Sequence, residues 1–186
     1  MNFEQIREEK IALEVIWISS VSSSRTLTEP RYRNLLRAME KRYRRIEYTN
    51  ADKKVCSGYS SETSSLFQPF ALYIRNIFGD GIYYSKDKDE FNYLLVIHKG
   101  EVISGTDVFI NRALFERYRQ HLLSSDYATL QWNCLSMAHV DQILEANRRF
   151  KLNSNKKKMM FISVICGIGI LCFLLFAVAL KLFLLT

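Results

Sequence analysis

The chain has 186 residues, with 26 Lys and Arg against 19 Asp and Glu, and four cysteines. That length accommodates one ordinary domain with a real core and little more. Cys56, Cys134, Cys166 and Cys172 contain no C-x-x-C pair, which excludes a disulfide framework and a zinc site and fits a reducing cytoplasm. The base is unevenly spread: residues 29–46 hold seven Lys/Arg and two Glu, residues 148–158 hold six and no acid, and the remainder is net acidic.

Ile11 to Ile18 is short and rich in β-branched and aromatic residues, which predicts one buried strand closed by the Ser-rich turn Ser19–Ser24. Thr28-Glu29-Pro30 signals a helix start, with Thr28 as N-cap and Pro30 in the first turn. Tyr32, Leu35, Leu36, Met39, Tyr43 and Ile46 then follow helical spacing and form one apolar stripe. The remaining circumference carries Arg31, Arg33, Arg37, Lys41, Arg42, Arg44 and Arg45. Such a surface is either a plainly solvated face or a dock for an acidic protein or lipid. Arg37, Lys41, Arg44 and Arg45 are the candidate partner-binding residues.

Asn50 to Lys54 reads as a turn, Val55–Tyr59 as a short strand, and Ser57–Ser65 as loop. Ser65 and Gln68, three apart, suggest a capping box opening a strongly apolar helix that Gly79 stops. Ile82–Tyr84 and Phe91–His98 are strands around the charged turn Lys86–Glu90. Lys99-Gly100 is a tight turn into Glu101–Ile103, although lysine suits positive φ poorly. Asp107 after Gly105-Thr106 caps or closes a further turn rather than acting as an acid. Asp107–Ile110 is apolar, and Asn111 caps a helix over 112–123 with Leu114, Phe115, Tyr118 and Leu122 inward. Tyr127–Asn133 predicts another strand. Ser136 opens a last helix, Met137 to about Phe150, burying Met137, Val140, Ile143 and Leu144. The fold class is α/β or α+β, a single domain over residues 1–150 with a mixed sheet and packed helices.

Residues 151–158 form a short basic linker, and Met159 to Leu180 contains no charge. An apolar run of that length predicts a membrane-spanning helix over 159–185. Arg148, Arg149, Lys151, Lys156, Lys157 and Lys158 flank its N-terminal side, while only Lys181 lies beyond. The asymmetry places the 1–150 domain in the cytoplasm and those six side chains at anionic lipid headgroups. Ser163 and Gly167, four apart, allow close packing of a second helix inside the membrane.

The sequence carries no recognisable catalytic constellation. His98, His121 and His139 have no metal-ligand spacing, and neither a P-loop nor a G-x-S-x-G elbow occurs. Nucleic-acid binding is disfavoured because Tyr32 and Tyr43 fall on the core stripe of the basic helix, not among its cations. No cofactor and no catalytic residue are assigned.

The stretch from Gly79 to Ile110, GDGIYYSKDKDEFNYLLVIHKGEVISGTDVFI, resembles the cytoplasmic domains of inner-membrane accessory proteins of type IVb pilus systems. These include the bundle-forming and toxin-coregulated pilus proteins and their plasmid-encoded thin-pilus relatives. The shared pattern is a strand, a Gly turn (His98-Lys99-Gly100), a return strand and a Gly-x-Asp stretch (Gly105-Thr106-Asp107) leading to a helix, then a basic linker and one span. The resemblance covers residues 60–185. It implies a non-enzymatic adaptor that holds a cytoplasmic assembly ATPase at the inner membrane beside a polytopic platform protein. Several relatives continue into a periplasmic domain, and nothing of that role carries over. The alternative from the residues alone is a tail-anchored trafficking or interaction protein with a longin-like N-terminal domain.

Overall fold

The computed structural model describes residues 3–18, 30–85 and 91–185; the side chains of 30–33, 35, 91, 157, 170, 171 and 173–185 fall outside that description. The turns expected at Ser19–Ser24 and Lys86–Glu90, and Thr28 as a cap, lie outside the described residues. The chain divides into two units, residues 1–147 and 148–186. The first is a mixed α+β unit.

Its centre is a sheet built on strand β7 (Phe91–His98). On one side β7 pairs antiparallel with β6 (Gly81–Tyr84), and β6 pairs in parallel with β10 (Trp132–Cys134). On the other side β7 pairs antiparallel with β8 (Glu101–Val102) and β9 (Val108–Asn111). Tyr93, Leu94, Leu95, Val96 and Ile97 are all fully buried. Their alternation sends Tyr93, Leu95 and Ile97 into a core with Phe70, Ile74, Val140 and Ile143. Leu94 and Val96 enter the opposite core with Ile82, Ile110, Phe115 and Leu122. A strand covered on both faces reads as a continuous apolar run, and each such side chain contributes roughly 1.5–3 kcal/mol by burial.

Short-range signals hold well here. Gly79 stops helix α3 (Phe70–Phe78) at φ 80. Lys99 and Gly100 both have positive φ, 52 and 67, as a two-residue hairpin of this kind requires. The strain on Lys99 is offset from outside the turn. The Asp80 carboxylate accepts from the Lys99 and Gly100 amides at 2.5 and 2.8 Å, and Arg75 Nε donates to Gly100 O at 2.7 Å. Asn111 caps α4 (Arg112–Leu123), its side chain accepting from Leu114 N at 2.8 Å.

Other expectations need correction. The stretch 11–18 is not one strand. A short helix, α1 (Phe3–Glu8), leads into β1 (Ile11–Ala12), which pairs in parallel with β5 (Gln68–Pro69). β2 (Ile16–Ile18) then joins a different, three-stranded sheet, pairing antiparallel with β4 (Val55–Ser60), which pairs in turn with β3 (Arg44–Thr49). Between them Glu14 adopts φ 56, and Val15 N turns to the side chain of Asp107. The basic helix, α2, spans Pro30–Arg42 rather than reaching residue 46. Arg44–Thr49 is strand β3, antiparallel to β4 (Val55–Ser60). Ile46 serves either period, but six cross-strand partners and a T-shaped contact of Tyr48 with Trp17 at 5.4 Å favour the extended form. No capping box forms at Ser65: Gln68 Nε2 donates to Ser65 O at 3.2 Å, and α3 starts after Pro69 with no side-chain cap because residues 68–69 are paired with β1. Tyr127–Leu130 is a succession of turns, and only Trp132–Cys134 is strand. Leu114 and Met137, expected inward, are exposed.

The last helix, α5, spans Met137–Leu185. Within the first unit it buries Val140, Ile143 and Leu144. The expected linker 151–158 is helical, and so is the backbone of the expected span, 159–185. Among the described residues no helix is long and apolar enough to cross a membrane.

Candidate functional site

Seven cations between residues 31 and 45 look interchangeable in the sequence, but the structure separates them. Arg37, Lys41 and Arg42 lie on α2 with exposed side chains. Arg37 and Lys41 are four residues apart and therefore neighbours on one face. Arg44 and Arg45 are not on that helix at all. Arg44 is on β3, where its guanidinium donates through Nε to Glu62 O at 3.1 Å and through Nη2 to Phe67 O. Burial pulls its pKa below the ordinary arginine value, and nearby Glu62 partly opposes that shift. Arg45 sits between two acids, 2.9 Å from Glu47 and 3.5 Å from Glu40. Of the four candidate partner-binding residues, the fold thus leaves Arg37 and Lys41 together and commits Arg44 to tying down the loop 62–67. Arg42 joins the exposed pair, and it was missed because the residue after which the helix gives way to strand is not marked by any breaker.

The second basic block lies in the unit 148–186. Arg148, Arg149, Lys151, Lys156 and Lys158 occur on successive turns of α5, and the side chain of Lys157 falls outside the described residues. At 1.5 Å per residue the block extends about 15 Å along the helix axis, and its members point to several sides rather than one. No acid occurs among residues 148–158. Ser163 bonds back to Met159 O at 3.0 Å on its own helix, and nothing lies within 4 Å of where a Cβ would sit on Gly167. Met159 to Ile168 is exposed and apolar apart from Ser163 and the glycine.

A third feature is buried. Asp107 is fully shielded from solvent, with φ 65. Its Oδ2 accepts from Val15 N at 3.1 Å and Trp17 Nε1 at 2.8 Å, and its Oδ1 accepts from Tyr93 OH at 2.6 Å. Expected to close its own turn, the Asp107 side chain instead joins the N-terminal segment to the central strand. Burial pushes its carboxyl up to about 7, against the pull of the hydrogen bonds it accepts. Burial and the adjacent Asp107 likewise hold the Tyr93 phenol well above its usual range.

The histidines are not brought together. His139 Nδ1 accepts from Ser136 N at 3.0 Å and lies 2.7 Å from Ser136 Oγ, which closes the first turn of α5. The His98 ring packs on Tyr127 at 5.7 Å, and His121 is exposed near the end of α4. Among the described residues, no three His, Cys, Asp or Glu are placed to hold a metal ion.

No protein-family model matches the chain, and no similar protein was found among the curated proteins or the solved structures.

Proposed function

We propose that the protein is a non-enzymatic adaptor: a cytoplasmic domain held at the inner membrane by the apolar run of α5, which recruits a cytoplasmic partner through α2. The observation that carries this reading is the C-terminal pattern, an uncharged run from Met159 to Leu180 with six cations upstream and one downstream. Such a run leaves water for hydrocarbon, and the one-sided base keeps its upstream end in the cytoplasm next to anionic headgroups. With the domain fixed beside the bilayer, the exposed Arg37 and Lys41 share one face of α2, with Arg42 exposed on its flank, and this cationic surface suits an acidic protein surface. Guanidinium groups there favour bidentate pairing with carboxylates.

The resemblance of residues 60–185 to type IVb pilus accessory proteins names the partners on this reading. They are the assembly ATPase of a pilus or related secretion platform and the polytopic membrane protein beside it. The test of topology is a pair of fusions. A reporter active only outside the cytoplasm should work at the C-terminus and fail at the N-terminus, and the opposite pattern would overturn the cytoplasmic assignment.

A further inference from the structure

We propose that strand β3 (Arg44–Thr49) is a pairing edge for a second copy of this chain, joined antiparallel about a two-fold axis at Ile46. β4 is the middle strand of its sheet, so β3 has one side open. The ladder fixes which backbone groups face that side. Asn50 N donates to Lys54 O at 3.0 Å across the turn between the strands, so Asn50 faces β4. By the alternation of an antiparallel pair, Tyr48, Ile46 and Arg44 also face β4, while Thr49, Glu47 and Arg45 face away. Thr49 O accepts from Arg75 Nη2, which closes that end of the edge. Among the described residues, no hydrogen bond reaches the outward N–H and C=O groups of Arg45 and Glu47. An edge left in this state is a template for another strand.

The side chains select which strand fits. Arg45 and Glu47 lie on one face of the sheet, 2.9 Å apart, and each is about half exposed. Ile46 points to the opposite face, into the core. An axis at Ile46 sets Arg45 of each copy directly opposite Glu47 of the other. Both residues face outward, so each opposed pair exchanges both of its main-chain hydrogen bonds. Opposite charges meet at both positions, which favours a cross-strand pair. The neighbouring registers reverse this. An axis at Glu47 sets acid against acid, and an axis at Arg45 sets base against base. Charged side chains on an edge ordinarily discourage pairing. Here the order base, apolar, acid rejects other registers and accepts its own antiparallel image. A uniformly acidic strand would leave Glu47 facing an acid, so the edge suits a second copy better than the acidic partner assigned to α2.

The contact is small. Two opposed pairs bury far less than the roughly 1,000 Å² of a lasting interface, so the association is weak and reversible. Copies held in one membrane or micelle meet often enough to populate it.

Disulfide trapping tests the pairing on the full chain in detergent micelles, with Cys56, Cys134, Cys166 and Cys172 replaced by Ala. Opposed Cα atoms at a non-hydrogen-bonded pair are about 4.5 Å apart, within disulfide reach, so Ile46→Cys should link to itself under mild oxidation. Arg45→Cys and Glu47→Cys leave the core intact and should link to each other more than chance mixing gives, and each to itself only slowly. In the Ile46→Cys chain, Arg45→Glu alone or Glu47→Arg alone should abolish the link, because each sets like charges opposite at both positions. Mixing those two variants restores opposite charges throughout and should restore linking, which also shows that both fold. Equal linking at all three positions would mean chance encounter within a micelle and would overturn the proposal. So would a link that either reversal leaves unchanged, or one that mixing of variants melting like the parent does not recover. Should a reversal unfold the chain, the comparison of the three cysteine positions decides alone.

Discussion

The two basic blocks of this chain look alike in composition, yet the fold treats them in opposite ways. Along α2 and β3 the change from helix to strand sorts the cations. Arg37, Lys41 and Arg42 remain exposed, Arg44 is drawn inward onto two carbonyl oxygens, and Arg45 is held between Glu40 and Glu47. Along 148–158 a single helix carries base on more than one side, with no acid in the block itself. Counting charge therefore overstates the first block as a docking surface. Its usable part is three residues on one helix.

That contrast can be tested one residue at a time. The largest effect is expected at the 148–158 block. A peptide spanning 140–158 with Lys156, Lys157 and Lys158 replaced by Gln should lose about 1 kcal/mol per lysine near an anionic surface, about a hundredfold in all. Vesicle flotation with phosphatidylserine measures this, and equal binding of both peptides would reduce the block to a spacer. Arg44→Ala should come next. It leaves Glu62 O and Phe67 O without their donor and should lower stability by roughly 1–3 kcal/mol in thermal or denaturant unfolding. A change no larger than that of Arg37→Ala would contradict the distinction between inward and outward arginines. The smallest effect is expected at Arg45. Its pairs are about half exposed on both sides, so Arg45→Ala should cost less than about 1 kcal/mol, and less still at high salt.

The elements readable from sequence were those whose causes are local. Asn111 caps a helix with its own third successor, Gly79 ends one by its own φ, and Lys99-Gly100 turns a hairpin between adjacent strands. The failures have causes outside the segments themselves. Residues 44–49 are extended because Val55–Ser60 pairs with them and Trp17 packs on Tyr48. The stretch 11–18 is split because Asp107, 92 residues from Val15, takes the amide at the break. Trp17 and Asp107 lie far outside any window centred on the segments they decide, whereas Val55–Ser60 follows 44–49 after one turn and its pairing is what a helical period over 32–46 conceals. The same applies to the candidate surface: Arg37 and Lys41 could be placed together by helical spacing, whereas the fate of Arg44 depends on the carbonyl of Phe67. The span over 159–185 is an expectation from composition alone, and among the described residues no helix is long and apolar enough to cross a membrane.

The central claim is that the α2 cations hold a partner at the membrane, and membrane fractionation of that partner tests it most directly. Cells carrying the assembly ATPase would express either the wild-type chain or one with Arg37, Lys41 and Arg42 changed to Glu. These side chains are exposed, so the variant should insert and melt as the wild type does. On this account the ATPase leaves the membrane fraction with the reversed helix, and with the wild-type chain it is released as salt rises past physiological strength. An ATPase that stays in the membrane fraction with the reversed helix, or that never depended on this protein, would contradict the claim and leave α2 a solvated face.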